Sequence, residues 1–342
     1  MKKLIYTTAV ILLFSSCSNN TKTSNEVNLY SQRHYDVDKM LFERFEELTG
    51  IKVNVVKANA DELLERLKNE GENSPADLFV SVDAGKLHKA TELGLLQKIS
   101  NSSILDNISD DLEDKNGYWV PMTYRSRILV YSKERVKANE LSTYTDLLNE
   151  KWKNRILVRS SSNAYNQALL SSIVANKGPE AASEWASKLV SNFARDPKGS
   201  DRDQVKAILA GQGDVAIVNS YYIGLLLSSD DEEQFKAGEA VDVFFPNQGE
   251  GESGAHINIS GIGLTQHGKN KENALKLIEF LTGVEAQTTY SNTSFEYAVN
   301  PNAKHSDIVS SWGDFRRDTL DLNLLGVHRA KAIEIFDNSG WK

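Results

Sequence analysis

Hydrophobic and polar positions alternate in short, regular blocks along most of the chain. Val27-Asn28-Leu29-Tyr30 predicts a short buried strand. Asp36 to Thr49 predicts a helix with Met40, Leu41, Phe45 and Leu48 on one face, and Gly50 stands where a helix-ending glycine belongs. Ile51 to Val56 alternates as a strand does, and Asp61 to Asn69 turns Leu63, Leu64 and Leu67 inward ahead of Gly71. A strand over Asp77 to Val82 and a helix over Ala84 to Leu93, ended by Gly94, continue the series. This β-α-β-α-β-α order argues for an α/β lobe around a mostly parallel sheet.

The same grammar returns downstream. Trp119 to Ser132 reads as one long strand interrupted by Pro121, and Arg155 to Val158 as a buried strand. Asn166 to Asn176 and Glu180 to Phe193 predict amphipathic helices. A helix over Gln204 to Ala210, a Gly211-Gln212-Gly213 turn and a strand over Asp214 to Asn219 follow. Ile257 to Thr265 predicts a strand and Glu272 to Leu281 a helix. No fixed-period repeat interrupts the pattern.

The first residues stand apart. Met-Lys-Lys, an apolar run from Leu4 to Phe14 and then Ser15-Ser16-Cys17 form a secretory signal peptide over residues 1–16. That run is shorter than the ~20 residues a membrane-spanning helix needs. Cys17, the chain's single cysteine, stands where a bacterial lipoprotein is acylated, and residues 17–26 form a polar tether. The working protein is therefore expected in the periplasm, membrane-anchored as a lipoprotein. Two α/β lobes in an exported, tethered chain suggest a bilobal architecture, with lobes joined by crossing strands that close on a ligand. The crossings are expected near Tyr124 to Tyr131 and Ala255 to Gly263. The N-terminal lobe would then comprise residues 27–126 and 252–301, and the C-terminal lobe residues 127–251 and 302–342.

Length and charge narrow the options. The 342 residues suffice for two domains, and 40% hydrophobic against 25% charged residues is ordinary for a folded protein. A net charge of −8, or −10 once Lys2 and Lys3 leave with the signal, lacks the basic footprint of nucleic-acid binding. One cysteine excludes a disulfide framework and a cysteine-based zinc cluster. Hydrolase, P-loop, zinc-protease and dinucleotide motifs are missing, so an enzyme is not expected. His34, His88, His256, His267, His305 and His328 show no paired metal spacing; Asp230 to Glu233 reads as a solvated loop and Gly249 to Gly254 as a flexible one.

The tyrosines carry more. Of twelve, Tyr35, Tyr165, Tyr221 and Tyr222 fall at polar junctions between a strand and a helix rather than inside apolar stripes. Ligands collect beyond the carboxyl ends of strands in open α/β sheets, so residues from two lobes can converge on one cleft. Singly, each such tyrosine would bury its ring and bond its hydroxyl to backbone.

Arg33-His34-Tyr35 within Asn28 to Tyr35, Ser74-Pro75-Ala76-Asp77, Arg159 to Gln167 with Ser-Ser-Asn-Ala-Tyr, Ser191 to Arg195, and Asn219-Ser220-Tyr221-Tyr222 occur in that order. In these segments the chain resembles the periplasmic ferric-ion-binding proteins of ABC importers, from Val27 to Trp341. The resemblance implies a bilobal type II periplasmic-binding-protein fold, Fe(III) as the transported ligand in the interlobe cleft, and an inner-membrane ABC permease as partner to a monomer. It assigns the metal to Tyr35 from the first lobe and Tyr165, Tyr221 and Tyr222 from the second. His34 matches a histidine that ligates in some members and stands off in others. A synergistic anion, such as carbonate, is an open addition to the shell.

Elementary chemistry agrees with that assignment. Fe(III) is a hard cation that prefers anionic oxygen, and only a highly charged metal strips the proton from a phenol with a pKa near ~10. Four phenolates against one trivalent ion leave a formal −1, which Arg125 or Arg127 on the first expected crossing strand could offset. A second reading keeps the fold and changes the ligand. Ser160-Ser161-Ser162-Asn163 at a helix start could hold a phosphate-bearing solute, and the aromatic rings could box a cation such as thiamine or a polyamine.

Overall fold

A computed structural model of the chain describes residues 25–342. The signal peptide, Cys17 and the tether up to residue 24 lie outside the described residues. Among the described residues there are ten strands: β1 (Glu26–Ser31), β2 (Lys52–Lys57), β3 (Leu78–Ser81), β4 (Leu96–Gln97), β5 (Val120–Ser132), β6 (Ile156–Leu157), β7 (Val215–Asn219), β8 (Val241–Phe244), β9 (Ile257–Thr265) and β10 (Tyr297–Ala298). Their order is β2-β1-β3-β9-β5-β7-β6, with β4 on β9 and β8 and β10 on β5.

The connectivity is mixed rather than mostly parallel. β2, β1 and β3 run parallel, as do β6 and β7, while β9 and β5 run antiparallel to their neighbours. β5 links the two halves. Val120 to Ser126 pair with β9, and from Arg127 onward the strand pairs with β7, beginning at Arg127 opposite Asn219. One strand thus leaves the first sheet and enters the second between Ser126 and Arg127. Pro121, which donates no ladder bond, stands at a register shift in the β5–β9 pairing. Every residue of β5 and β9 is buried, polar ones included, so the crossing is solid.

Helices form much as the pattern predicts. In Asp36–Thr49 the buried stripe is Val37, Leu41 and Phe45, at steps of four, and Gly50 takes a left-handed φ of 68° to end it. Met40 and Leu48, expected inward, are 53% exposed on the neighbouring face. The acidic run at Asp230 is no loop: Asp231 caps the helix Glu232–Glu239, its side chain accepting from the Gln234 N–H at 2.9 Å. The Gly249 to Gly254 loop is fastened by Arg316, whose Nη2 donates to the Gly249 and Asn247 carbonyls at 2.8 and 3.1 Å. Helices that the pattern does not predict also occur, two of them long. Val284–Thr293 packs on Asp36–Thr49, and Arg329–Ser339 packs on Ala164–Lys177 and Pro179–Val190. Among the described residues no helix is long and apolar enough to cross a membrane.

Candidate metal centre

Each tyrosine stands at the mouth of a helix. Tyr35 is the last residue before Asp36–Thr49, with extended φ and ψ of −78° and 150°, and its N–H donates to Asp38 Oδ2 at 3.2 Å. Tyr165 lies in the first turn of Ala164–Lys177, where Asn163 caps by accepting from the Tyr165 N–H at 3.0 Å. Tyr221 and Tyr222 begin the helix Tyr221–Leu227 directly after β7, rather than preceding it. The Ser220 N–H that precedes them donates to the Ser126 carbonyl at 2.9 Å, at the point where β5 changes sheets.

The four rings meet. The Tyr165 and Tyr221 hydroxyls are 3.3 Å apart, the Tyr221 and Tyr222 ring centroids 4.3 Å, and those of Tyr35 and Tyr221 6.4 Å. Tyr35 belongs to the loop after β1 and the others follow β6 and β7, so the cluster draws on both sheets. His34 stands at the rim: it is exposed, its ring centroid is 5.7 Å from that of Tyr35, and its Nδ1 faces the Gln32 carbonyl at 3.3 Å. The Ser160 and Ser162 hydroxyls bond to each other at 2.9 Å in an exposed turn.

Burial pushes the Tyr35, Tyr221 and Tyr222 hydroxyls well above the ordinary phenol range. Proximity to Tyr165 adds to all three, and Glu296 adds to Tyr35. Arg33 acts in the opposite direction on Tyr35, Arg125 on Tyr221 and Arg159 on Tyr222. Without a cation to displace the proton, these three groups are therefore neutral phenols at neutral pH.

Arginines ring the cluster. The guanidinium carbons of Arg125, Arg127 and Arg159 lie 5.6, 5.8 and 5.5 Å from the Tyr165 ring centroid, and that of Arg202 lies 5.9 Å from the Tyr222 ring. Arg125 and Arg127 are both buried, yet they differ. Arg127 pairs with Asp201 at 2.8 Å and donates to Asn166 and Asn219 at 2.8 and 3.2 Å. Arg125 gives one nitrogen to the Val82 carbonyl, leaves Nη1 without a hydrogen-bond partner, and makes no ion pair among the described residues. The two are equivalent in the sequence, which also leaves Arg33, Arg159, Arg202 and Glu296 without an assigned role. Arg33 and Arg159 stand inside the quoted motifs, whereas nothing near Glu296 signals a role.

Chemically, the cluster offers phenol oxygens and little else. No group of three His, Cys, Asp or Glu able to hold a metal occurs among the described residues. Once ionised, such oxygens suit a hard cation of high charge, and the unpaired Arg125 cation suits the excess negative charge that four phenolates would carry.

Two α/β halves joined by a strand that crosses between them, with polar side chains of both halves converging at the junction, define a two-lobed solute-binding protein. The chain belongs to the bacterial extracellular solute-binding protein family, whose pattern matches residues 40–317. It is 43% identical to iron uptake protein A1 of Synechocystis sp., over 96% of this chain and 93% of that one. It is 27% identical to the major ferric iron-binding protein of Neisseria meningitidis, over 85% of this chain and 86% of the other. Among solved structures, the Trichodesmium protein IdiA (FutA) in complex with iron and citrate ligands superposes with a TM-score of 0.88 at 42% identity, covering 93% of this chain and all of that one. The Campylobacter jejuni ferric binding protein gives 0.86 at 38% identity, covering 92% of this chain and all of its own. The fold is the type II solute-binding fold of these neighbours.

Proposed function

We propose that this protein captures ferric iron between its lobes with the phenolates of Tyr35, Tyr165, Tyr221 and Tyr222, and passes it to an inner-membrane ABC permease. The observation that carries the reading is the Tyr165–Tyr221 hydroxyl separation of 3.3 Å, in a cluster that Tyr35 joins from the other sheet. Its support from likeness is the ferric and iron-uptake naming of relatives that span nearly the whole chain. The lobes are taken as residues 27–126 with 252–301 and 127–251 with 302–342. The transfer of β5 from one sheet to the other at Ser126 and Arg127 supports the first boundary.

The binding sequence follows from position. Tyr165, Tyr221 and Tyr222 reside on one half and meet the ion first. Tyr35 then completes the shell as the halves close, and closure is driven by the closed form's greater affinity for the ion. Each phenol must lose its proton, so binding releases protons and weakens as pH falls. Arg125 supplies the positive charge that offsets the surplus phenolate, while Arg127 holds the scaffold. His34, exposed at the rim, either adds a nitrogen donor or hydrogen-bonds to the shell without ligating. The protein performs no turnover; its work is capture and hand-over. Export by the signal over residues 1–16, a lipid on Cys17 and action as a periplasmic monomer complete the proposal.

Titrating the apo protein with chelated Fe(III) tests it. A visible phenolate-to-iron charge-transfer band should grow to one equivalent and be absent from a Tyr221→Phe, Tyr222→Phe variant. A colourless wild type, stabilised on heating by organic solutes such as thiamine or a polyamine but not by iron, would replace this reading.

A further inference from the structure

Arg33 is part of the Arg-His-Tyr segment, yet iron capture as described assigns it nothing. It is 2% exposed and spends its whole guanidinium on fixed partners. Nε pairs with Asp38 Oδ1 at 2.8 Å and Nη2 with Glu296 Oε2 at 2.8 Å. Nη1 donates to Thr123 Oγ1 at 3.2 Å and to Ser260 Oγ at 2.7 Å. Thr123 belongs to β5 and Ser260 to β9, and the two residues stand opposite each other in the first sheet. The carbon of the same guanidinium lies 4.5 Å from the Tyr35 ring centroid and 4.9 Å from that of Tyr290.

These contacts converge on one residue. Asp38 takes Arg33 with one carboxylate oxygen and the Tyr35 N–H with the other, so the backbone of Tyr35 is fixed through the arginine's own ion-pair partner. The ring of Tyr35 is held by the cation that stands over its face. A planar fork of five donors can serve an edge-on network and a face-on ring at once; an ammonium cannot.

We propose that Arg33 is the positioning residue of the first-lobe ligand: it locks Tyr35 to β5 and β9 where they pair in the first sheet, so that Tyr35 moves with that sheet instead of swinging freely on its loop. This inference rests on the reading that Tyr35 binds the metal. A residue needed merely for packing would affect all four tyrosines alike. One that positions Tyr35 acts through Tyr35 alone.

The experiment measures ferric affinity, by competition with a chelator, and the charge-transfer band of Arg33→Lys, alone and combined with Tyr35→Phe or Tyr165→Phe. Arg33→Lys keeps the charge and loses the fork. Affinity should fall about tenfold or more, with the band shifted to that of Tyr35→Phe. Added to Tyr35→Phe the change should cost nothing further, whereas added to Tyr165→Phe it should cost its full factor. Thr123→Val with Ser260→Ala, which leaves both ion pairs intact, should give a smaller loss with the same dependence on Tyr35, and it decides the matter should Arg33→Lys not fold. Wild-type affinity and band in both variants, or an equal loss in the Tyr35→Phe and Tyr165→Phe backgrounds, would overturn the proposal. Absence of any band in the wild type would instead remove the iron reading beneath it.

Discussion

Arg127 Nη2 donates to Asn166 Oδ1 at 2.8 Å, and Asn166 is the residue that follows Tyr165. The same guanidinium reaches Asn219, two residues before Tyr221, and Asp201, whose carboxylate also accepts from the Asn219 N–H at 3.1 Å. One buried cation on the crossing strand therefore ties together the segments that carry the three second-lobe tyrosines. Arg125, two residues earlier, shares the burial and lacks the counter-charge.

The two arginines should consequently fail in different ways. Arg127→Gln leaves the fully buried Asp201 with only the Asn219 N–H and the Arg159 guanidinium 3.8 Å away, and the apo protein should lose about 3 kcal/mol of stability in urea unfolding. Arg125→Gln strands no carboxylate. Its apo stability should change by only ~1 kcal/mol, while ferric affinity falls by about tenfold to a hundredfold. Equal loss of stability in both variants would contradict the division of roles.

Much of this arrangement was legible in the chain, and the exceptions share a cause. Strands β1, β3, β7 and β9 announce themselves because their side chains are buried on both faces, as in Val27, Leu29 and Tyr30 of β1. The four tyrosines stood out because polar, glycine-poor junctions isolate them from apolar stripes. The helix Val284–Thr293 escaped notice because its buried face includes Gln287 and Ser291. Gln287 is paid for by donating to the Met122 and Leu281 carbonyls and accepting from Val299 N–H, none of which is near it on the helix face. Periodicity detects apolar burial and is blind to polar burial satisfied at long range. The difference between Arg125 and Arg127 was hidden likewise, since it depends on Asp201, far away in sequence.

Tyr144 offers a test of the hinge itself. Its buried hydroxyl donates to the Arg127 carbonyl and accepts from the His256 N–H at 3.3 Å, so one side chain bridges β5 and the segment leading into β9. Tyr144→Phe keeps the ring and leaves a buried carbonyl and a buried N–H without that partner. Apo stability should fall by ~1–3 kcal/mol, read from urea midpoints at unchanged slope. A change below about 0.5 kcal/mol would mean that the bridge is dispensable.

His256 sets a pH dependence for the apo fold. Burial, then the charges of Arg125 and Arg127, hold its pKa down to about 3, against Asp83, which acts to raise it. The unfolded chain, with an ordinary imidazole near ~6.5, binds a proton in the window where the native state refuses one. Stability from this group is complete above about pH 6.5 and is lost as pH falls toward 3, at ~1.4 kcal/mol per pH unit. At pH 5 the loss is ~2 kcal/mol relative to pH 7. His256→Gln should flatten the urea midpoint over that range; an unchanged slope against pH would show that the imidazole is protonated in the fold.

Gly224 allows closure to be separated from ligand chemistry. It lies in the helix Tyr221–Leu227, and a Cβ added there would overlap the Phe295 ring. Phe295 sits two residues before β10, which pairs with the first-sheet part of β5, so this contact joins the two halves beside the tyrosines. Phe295 holds a left-handed φ of 56°, which leaves its backbone little freedom to retreat. Gly224→Ala should therefore be relieved by parting the halves rather than by repacking. Within the helix the change is favourable by about 1 kcal/mol, so the apo melting temperature should hold or rise slightly. Tyr165, Tyr221 and Tyr222 remain on one body and should still colour with Fe(III), but the affinity should drop to that of Tyr35→Phe, and small-angle scattering should show no compaction on adding iron. Wild-type affinity together with normal compaction would show that the two halves can close without the Gly224–Phe295 fit.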